Sequence, residues 1–436
     1  MSARLRLPLA RLPATSGKNP GLLPLFARKL AVFAFDTQKE DTTNHGKEVT
    51  MKRLIAILLL VCLLPLPGLA FQKGFGEFAK NQVNVRKKPG GDILFRKQQG
   101  EELYIRSQRE YRGQIWYEVN TYDERRITPV TAWVRADMVT TPEALFQNVR
   151  AVAAYNCHMI ALLNDGRVVY GGQQHKYPGT MQGDPPQAWR DVRQVTAGFL
   201  SVFGLKGDGS VCSWGIRGPS SGLPGLNNSD GQLIPFARID AQDDTFLGLM
   251  ADGSLHAFYP DASLSLLPPD SGVADFSAWW PSIATALVAK DGQVQVFGGE
   301  QGALTLLQQE SLAQWRDVSQ VASGFIAQRE GSSTLKTKAL AAAILNDGRV
   351  TALDEGMQAE VKSWTDVRQL AFGDGFLLGL TGSGQVLVAG ERKQTVAHEL
   401  ADWAGVIDIA CGFDFCVGVT QTGQLLFAGE AIFASR

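Results

Sequence analysis

Few residues of this 436-residue chain have a type and spacing that could do chemistry. Four histidines follow residue 70, His158, His175, His256 and His398, and they share no spacing. No serine-nucleophile elbow, His-Glu-x-x-His pair, phosphate loop or calcium loop occurs. Asp165, Asp208, Asp252, Asp291 and Asp347 each precede a glycine, and a turn explains them. The residues therefore assign no catalytic, cofactor-binding or metal-ligating position, and no cofactor is expected. An enzyme remains the alternative, with carboxylates from separate segments converging on one mouth. Of five cysteines, Cys62 falls in a removable leader. Cys411 and Cys416 flank Gly412-Phe413-Asp414-Phe415, which fits either a cross-hairpin disulfide or two buried thiols, since Ala154, Ala197 and Ala241 occupy the register of Cys411. No cysteine–histidine spacing suggests zinc.

Aromatic residues are the better candidates, for binding. Tyr155, Phe199, Trp279-Trp280, Phe325, Phe376, Phe413 and Phe415 stand at or beside one recurring turn. Equivalent turns on one face would form an aromatic collar suited to protein or glycan contact. The other reading tucks these rings between repeats. Trp116 and Trp133, earlier in the chain, are either ligand platforms or core aromatics of a small domain.

The elements that position these residues begin after a leader. Met51-Lys52-Arg53, an apolar run from Leu54 to Leu64 and the small-x-small ending Gly68-Leu69-Ala70 make a secretory signal peptide, Met51–Ala70. The 50 residues before it read as an early start codon or an unusual leader. No later stretch approaches ~20 apolar residues, so no membrane span is expected in the mature chain. The expected location is extracellular or cell-envelope.

Residues 78–140 hold four short β-rich runs at 84–88, 102–105, 115–119 and 132–134. Val83-Asn84-Val85-Arg86…Pro89, Gly100-Glu101-Glu102-Leu103, Trp116-Tyr117-Glu118-Val119 and Ala132-Trp133-Val134 resemble the bacterial Src-homology-3-type domain. Ala132 replaces the usual glycine and 121–130 is longer than usual. The resemblance implies a small β-barrel of a kind that often binds cell-wall peptides or glycans.

Residues 146–436 repeat. A two-residue turn recurs at Asp165-Gly166, Asp208-Gly209, Asp252-Gly253, Asp291-Gly292, Asp347-Gly348, Ser383-Gly384 and Thr422-Gly423. Asp-Gly between apolar runs predicts tight hairpins with both turn residues at positive φ. Five residues before each glycine, six of seven residues are Gly or Ala, which predicts a strand in a crowded place such as the inner edge of a radial array. Units open on an aromatic-x-x-aliphatic pattern, as in Trp189-Arg190-Asp191-Val192, Phe236-Ala237-Arg238-Ile239 and Trp364-Thr365-Asp366-Val367. Units of about 40 residues fit four-stranded propeller blades, and seven make a closed ring. The pattern resembles the regulator of chromosome condensation (RCC) repeat family. That resemblance implies an all-β, seven-bladed β-propeller presenting loops on two faces, a scaffold for protein binding. The polar insert at 329–338 is expected to be an exposed loop.

The net charge of −1 is a cancellation. Residues 71–140 carry 13 basic and 9 acidic side chains, and 141–436 carry 19 and 30. An acidic ring excludes nucleic acid as its partner. The whole reads as an exported bacterial binding protein. Its small barrel would contact wall polymer, and its ring a protein or glycan. Inhibition of a secreted enzyme is a further alternative.

Overall fold

The computed structural model describes residues 72–123, 128–172, 183, 185–199, 201–215, 234–242, 245–258, 263–279, 285–297, 306–330 and 334–431. The signal peptide, the residues before it, His175 and Trp280 lie outside these. The described chain is all-β with a few short helices. No helix among the described residues is long and apolar enough to cross a membrane.

The turns show how the repeats are made. Leu163 N–H donates to Arg167 O (2.9 Å) and Gly166 N–H to Leu163 O (3.1 Å). That is a three-residue loop ending on a left-handed glycine, φ +79°. The same two bonds close the turns at Gly209, Gly253, Gly348, Gly384 and Gly423. The aspartate holds the loop from within: Asp165 Oδ1 accepts from Arg167 N (3.0 Å) and Asp208 Oδ1 from Ser210 N (2.9 Å). Only Asp291-Gly292 forms the expected two-residue turn with both φ positive (53° and 71°).

These turns join seven antiparallel sheets among the described residues, spanning 149–171, 192–215, 236–267, 273–297, 318–352, 367–389 and 406–429, here sheets I to VII. Sheet III has four strands and the others three. The first strand of each packs against the first strand of the next, and that of VII against that of I, so the series closes. A backbone bond repeats at most seams. Val192 N–H donates to Gly166 O (3.0 Å), Val367 to Gly348 O (2.9 Å), and Val149, at the closure, to Gly423 O (3.0 Å). Asn148, Asp191, Asp317 and Asp366, each just before a first strand, take φ of 57–59°. Asn and Asp tolerate this left-handed conformation better than other side chains, which explains the Asp of the Trp-x-Asp-Val pattern.

The small-residue register has a different cause from crowding at an inner edge, because it lies on the middle strand. A Cβ on Gly204, Gly379 or Gly418 would fall 2.9, 2.6 or 2.6 Å from the ring of Trp189, Trp364 or Trp403. In these three units the opening tryptophan lies across its own middle strand. Phe236 does the same for Gly248 from a shifted place. It pairs with Met250 as Val192 pairs with Lys206, so it stands three residues later than the sequence pattern suggested. The described part of the insert at 329–338 is strand: Val318–Glu330 and Thr334–Leu345 continue their pairing to Glu330 opposite Thr334.

The amino-terminal segment forms one seven-stranded sheet: β1 (Gly74–Phe78), β2 (Val83–Arg86), β3 (Ile93–Lys97), β4 (Glu102–Tyr111), β5 (Gln114–Asp123), β6 (Thr128–Arg135) and β7 (Val139–Thr140), in the order β3-β2-β6-β5-β4-β1-β7. Phe78, Val85, Leu103, Ile105, Val119 and Val134 fill its core. Residues 71–436 are one compact unit. A single apolar cluster joins Phe75, Tyr104 and Tyr122 of this sheet to Phe146 and Met159 near and in sheet I and to Phe415 and Phe427 of sheet VII. Tyr104 Oη donates to Gly429 O (3.1 Å), and Lys73–Glu399 and Arg106–Glu430 pair at 2.7 Å.

Candidate functional site

Two regions collect polar or exposed side chains: the centre of the ring and the outer face of the amino-terminal sheet. At the centre, every first strand carries a β-bulge at its second residue, from Val149/Ala151 through Val406/Asp408. The residues after the bulge are Ala151, Gln194, Arg238, Asp275, Gln320, Gln369 and Asp408, polar in six of seven. Gln194, Arg238, Asp275, Gln320 and Gln369 line a cavity of about 310 Å³.

These polar groups serve the neighbouring strand. Gln194 donates to Ile239 O (2.7 Å) and accepts from Ile239 N (3.1 Å), and Gln369 grips Ile409 likewise (3.0 and 3.3 Å). Asp275 Oδ2 accepts from Val321 N (2.7 Å), Asp240 Oδ2 from Ala278 N (2.7 Å), and Asp408 Oδ2 from Val152 N (2.8 Å). Arg238 pairs with Asp275 and lies 4.4 Å over the Phe276 ring. Adjacent first strands do not pair as a sheet, so side chains take up edge N–H groups that would otherwise be buried and unsatisfied. Burial pushes Asp240 and Asp408 up to about 6 and raises Asp275. The alternation of polar residue and apolar neighbour two places into each first strand was the sequence signal for these clamps, and it went unread.

A second, very small cavity, here the throat, lies among Tyr155, Phe325, Phe372, Phe413, Gln242 and Cys411, and shares Tyr155, Gln242, Phe372 and Cys411 with the first. Phe413 meets Tyr155 and Phe325 edge to face at 5.5 and 5.3 Å. Three of the expected collar residues therefore come together, but as a plug. Tyr155 and Phe325 are buried and Phe413 is half-buried. Phe376 and Phe415 are fully buried, folded back over Gly373 and Gly412, where a Cβ would fall 2.1 Å from each ring. Trp279 is buried and donates its indole N–H to Gly324 O (3.1 Å). Phe199 is half-buried against the cluster holding Trp189 and Trp214. The described turn aromatics are therefore buried or half-buried rather than gathered on an open face: Tyr155, Phe325 and Phe413 cover one another, and Phe376 and Phe415 fold over glycines.

His158 is likewise buried, stacked on Tyr170 at 5.9 Å, and burial lowers it to about 4, so it is neutral. No group of three or more His, Cys, Asp or Glu among the described residues could hold a metal.

The amino-terminal sheet is different. Four of the five large apolar residues exposed among the described residues lie on it: Ile93, Leu94, Tyr111 and Ile115. Register sets Ile93 opposite Arg86, Arg86 and Glu118 opposite Trp133, and Arg109 opposite Trp116. Cross-strand partners share a face, so these residues share one side of the sheet. The guanidinium of Arg109 lies 5.6 Å over the half-exposed Trp133, and that of Arg112 5.2 Å over Tyr111. The exposed Lys87, Lys88, Arg109 and Arg112 make no ion pair among the described residues. Trp116 shares this side of the sheet but is covered: it is 7% exposed, and its indole N–H is buried without a partner among the described residues. Arg109 was missed in the sequence because its partner Trp133 lies two strands away, and Tyr111 because nothing local marks it as exposed.

No family model matches the chain, and no curated protein matches it. Among solved structures it is similar to the CRINKLY WD40 ectodomain of the Arabidopsis thaliana receptor kinase ACR4 (14% identity, 66% of this chain and 97% of that one, TM-score 0.44). It is also similar to human WBSCR16 (13%, 83% and 100%, TM-score 0.43). A third is Prp20p of Saccharomyces cerevisiae, described with its binding to Gsp1p and histones (13%, 54% and 71%, TM-score 0.38).

Proposed function

We propose that sheets I to VII are the blades of an RCC-type seven-bladed β-propeller, and that the amino-terminal sheet is a bacterial Src-homology-3-like barrel. The protein is then an exported, non-enzymatic binding scaffold, with its signal peptide at Met51–Ala70. The outer face of the small barrel contacts an anionic polymer of the cell wall, and the ring presents its loops to a protein partner.

The observation that carries this reading is the aromatic and cationic face around Trp133. Half-exposed and exposed rings roofed by guanidinium groups that make no ion pair among the described residues suit a ligand with both flat apolar and anionic surface. The central carboxylates support a scaffold over a catalyst, because each described one already accepts a neighbouring backbone N–H. The test is co-sedimentation of the purified protein with isolated cell walls and with walls stripped of anionic polymer. Pelleting with intact walls alone, weakening as salt rises, is expected. Recovery in the supernatant from both would overturn the wall-binding role.

A further inference from the structure

We propose that Cys411 and Cys416 are a redox pair that closes to a disulfide when the protein meets a disulfide oxidant. The two residues face each other directly across the hairpin of strands Val406–Cys411 and Phe415–Thr420. Their sulfurs are 3.2 Å apart, and both thiols are free and buried. Directly opposed residues of an antiparallel pair have Cα atoms about 4.5–5.5 Å apart, inside the range a disulfide spans. Closing the bond to ~2.05 Å asks for about 1 Å of sulfur movement and no shift of register.

The two thiols differ in access. Cys411 lines both the central cavity and its aromatic throat, whereas Cys416 lies wholly inside sheet VII. Burial, and then the neighbouring Cys411, raise the Cys416 thiol well above its usual range. Cys411 is therefore the attacking sulfur. Its thiolate attacks an external disulfide such as oxidised glutathione, forming a mixed disulfide and releasing one thiol. Cys416 then loses its proton and displaces the second thiol. In sum two protein thiols are oxidised, one external disulfide is reduced to two thiols, and both protons go to those products.

The bond would tie a turn that holds three sheets together. Phe413 N–H donates to Asn156 O (2.8 Å) in sheet I, and Phe413 O accepts from Asp374 N (3.0 Å) in sheet VI. Phe413 is also the ring at the centre of the throat. The enclosed loop is short, so the bond acts on the set of this turn more than on global stability.

The test is oxidation of the purified, reduced protein with oxidised glutathione, both folded and during refolding. Alkylation followed by mass spectrometry of the fragment carrying both residues is the readout. A fragment lighter by two hydrogens and protected from alkylation is expected, with Cys157 and Cys212 still reactive after denaturation. C416S should trap glutathione on Cys411, and C411S should leave Cys416 unmodified in the folded protein. Alkylation of both cysteines after either treatment would overturn the proposal, as would a bond to Cys157 or Cys212. The chemistry does not depend on export: a pair that oxidises in the tube yet is reduced in protein from its native source supports the pair and counts against export.

Discussion

Phe75, in the first strand of the described chain, and Phe415, in its last repeat sheet, meet edge to face with ring centroids 5.5 Å apart. Phe75 also touches Tyr104 (5.1 Å) and Phe427 (6.1 Å), and its side chain is what a Cβ on Gly171 of sheet I would strike at 3.0 Å. One ring thus spans the seam where the last sheet meets the first. Among the described residues each repeat sheet is contiguous in sequence, so none of those strands is exchanged across that seam, and the amino-terminal sheet acts as the clasp.

Phe75→Ala should therefore cost about 3–5 kcal/mol, the range for an aromatic removed from a packed core. Lys73→Ala and Arg106→Ala, which break partly exposed ion pairs, should each cost under about 1 kcal/mol. Urea unfolding of the three variants checks the ordering. A Phe75→Ala protein as stable as the parent would mean the clasp does not hold the ring.

The buried clamps impose a pH dependence. Asp240 and Asp408 are raised in the folded state to about 6, above the unfolded value. Below about pH 4 both states hold the proton. Between about 4 and 6 the unfolded chain releases it first, so stability from these groups falls as pH rises and levels off above 6. Each contributes on the order of 2–3 kcal/mol to that fall. Asp408→Asn, which keeps an acceptor for Val152 N–H, should flatten the dependence between pH 4 and 7. An unchanged difference in unfolding free energy between those pH values would refute the assignment.

The tryptophan-over-glycine packing predicts a sharp contrast. Gly418→Ala puts a methyl group 2.6 Å from Trp403, whereas one on Gly207 would find only the Asp191 carbonyl at 4.0 Å. The first should cost about 1–3 kcal/mol and the second almost nothing. Thermal unfolding distinguishes them.

The repeat and its seven turns were legible because Asp-Gly, its flanking apolar residues and the Trp-x-Asp-Val opening are local. The turn type was less so. A left-handed glycine is common to two-residue and three-residue loops, and the choice depends on which strand residue closes the pair. The Phe236 register failed for a related reason. An aromatic ring can cover Gly248 from either of two backbone positions, and the sequence shows only the ring. The fate of the turn aromatics was the hardest to read. Whether Tyr155, Phe325 and Phe413 face solvent or each other depends on sheets I, V and VII meeting at one throat, which no local pattern encodes. The clamps Gln194, Asp275, Gln369 and Asp408 were visible as polar residues at one register, yet their purpose lay in the backbone of the next sheet. Trp116 and Trp133 looked alike in sequence and share the Arg109 side of the sheet, and only the packing around them leaves one covered and the other half-exposed.

The most direct measurement of the proposed role compares wall binding of the parent protein with that of the Tyr111→Ala/Trp133→Ala double variant. Both residues are at least partly exposed, so the variant should unfold within about 1 kcal/mol of the parent. It should fall at least tenfold in affinity for intact walls in the same co-sedimentation assay. A folded double variant that pellets as well as the parent would contradict binding through this face.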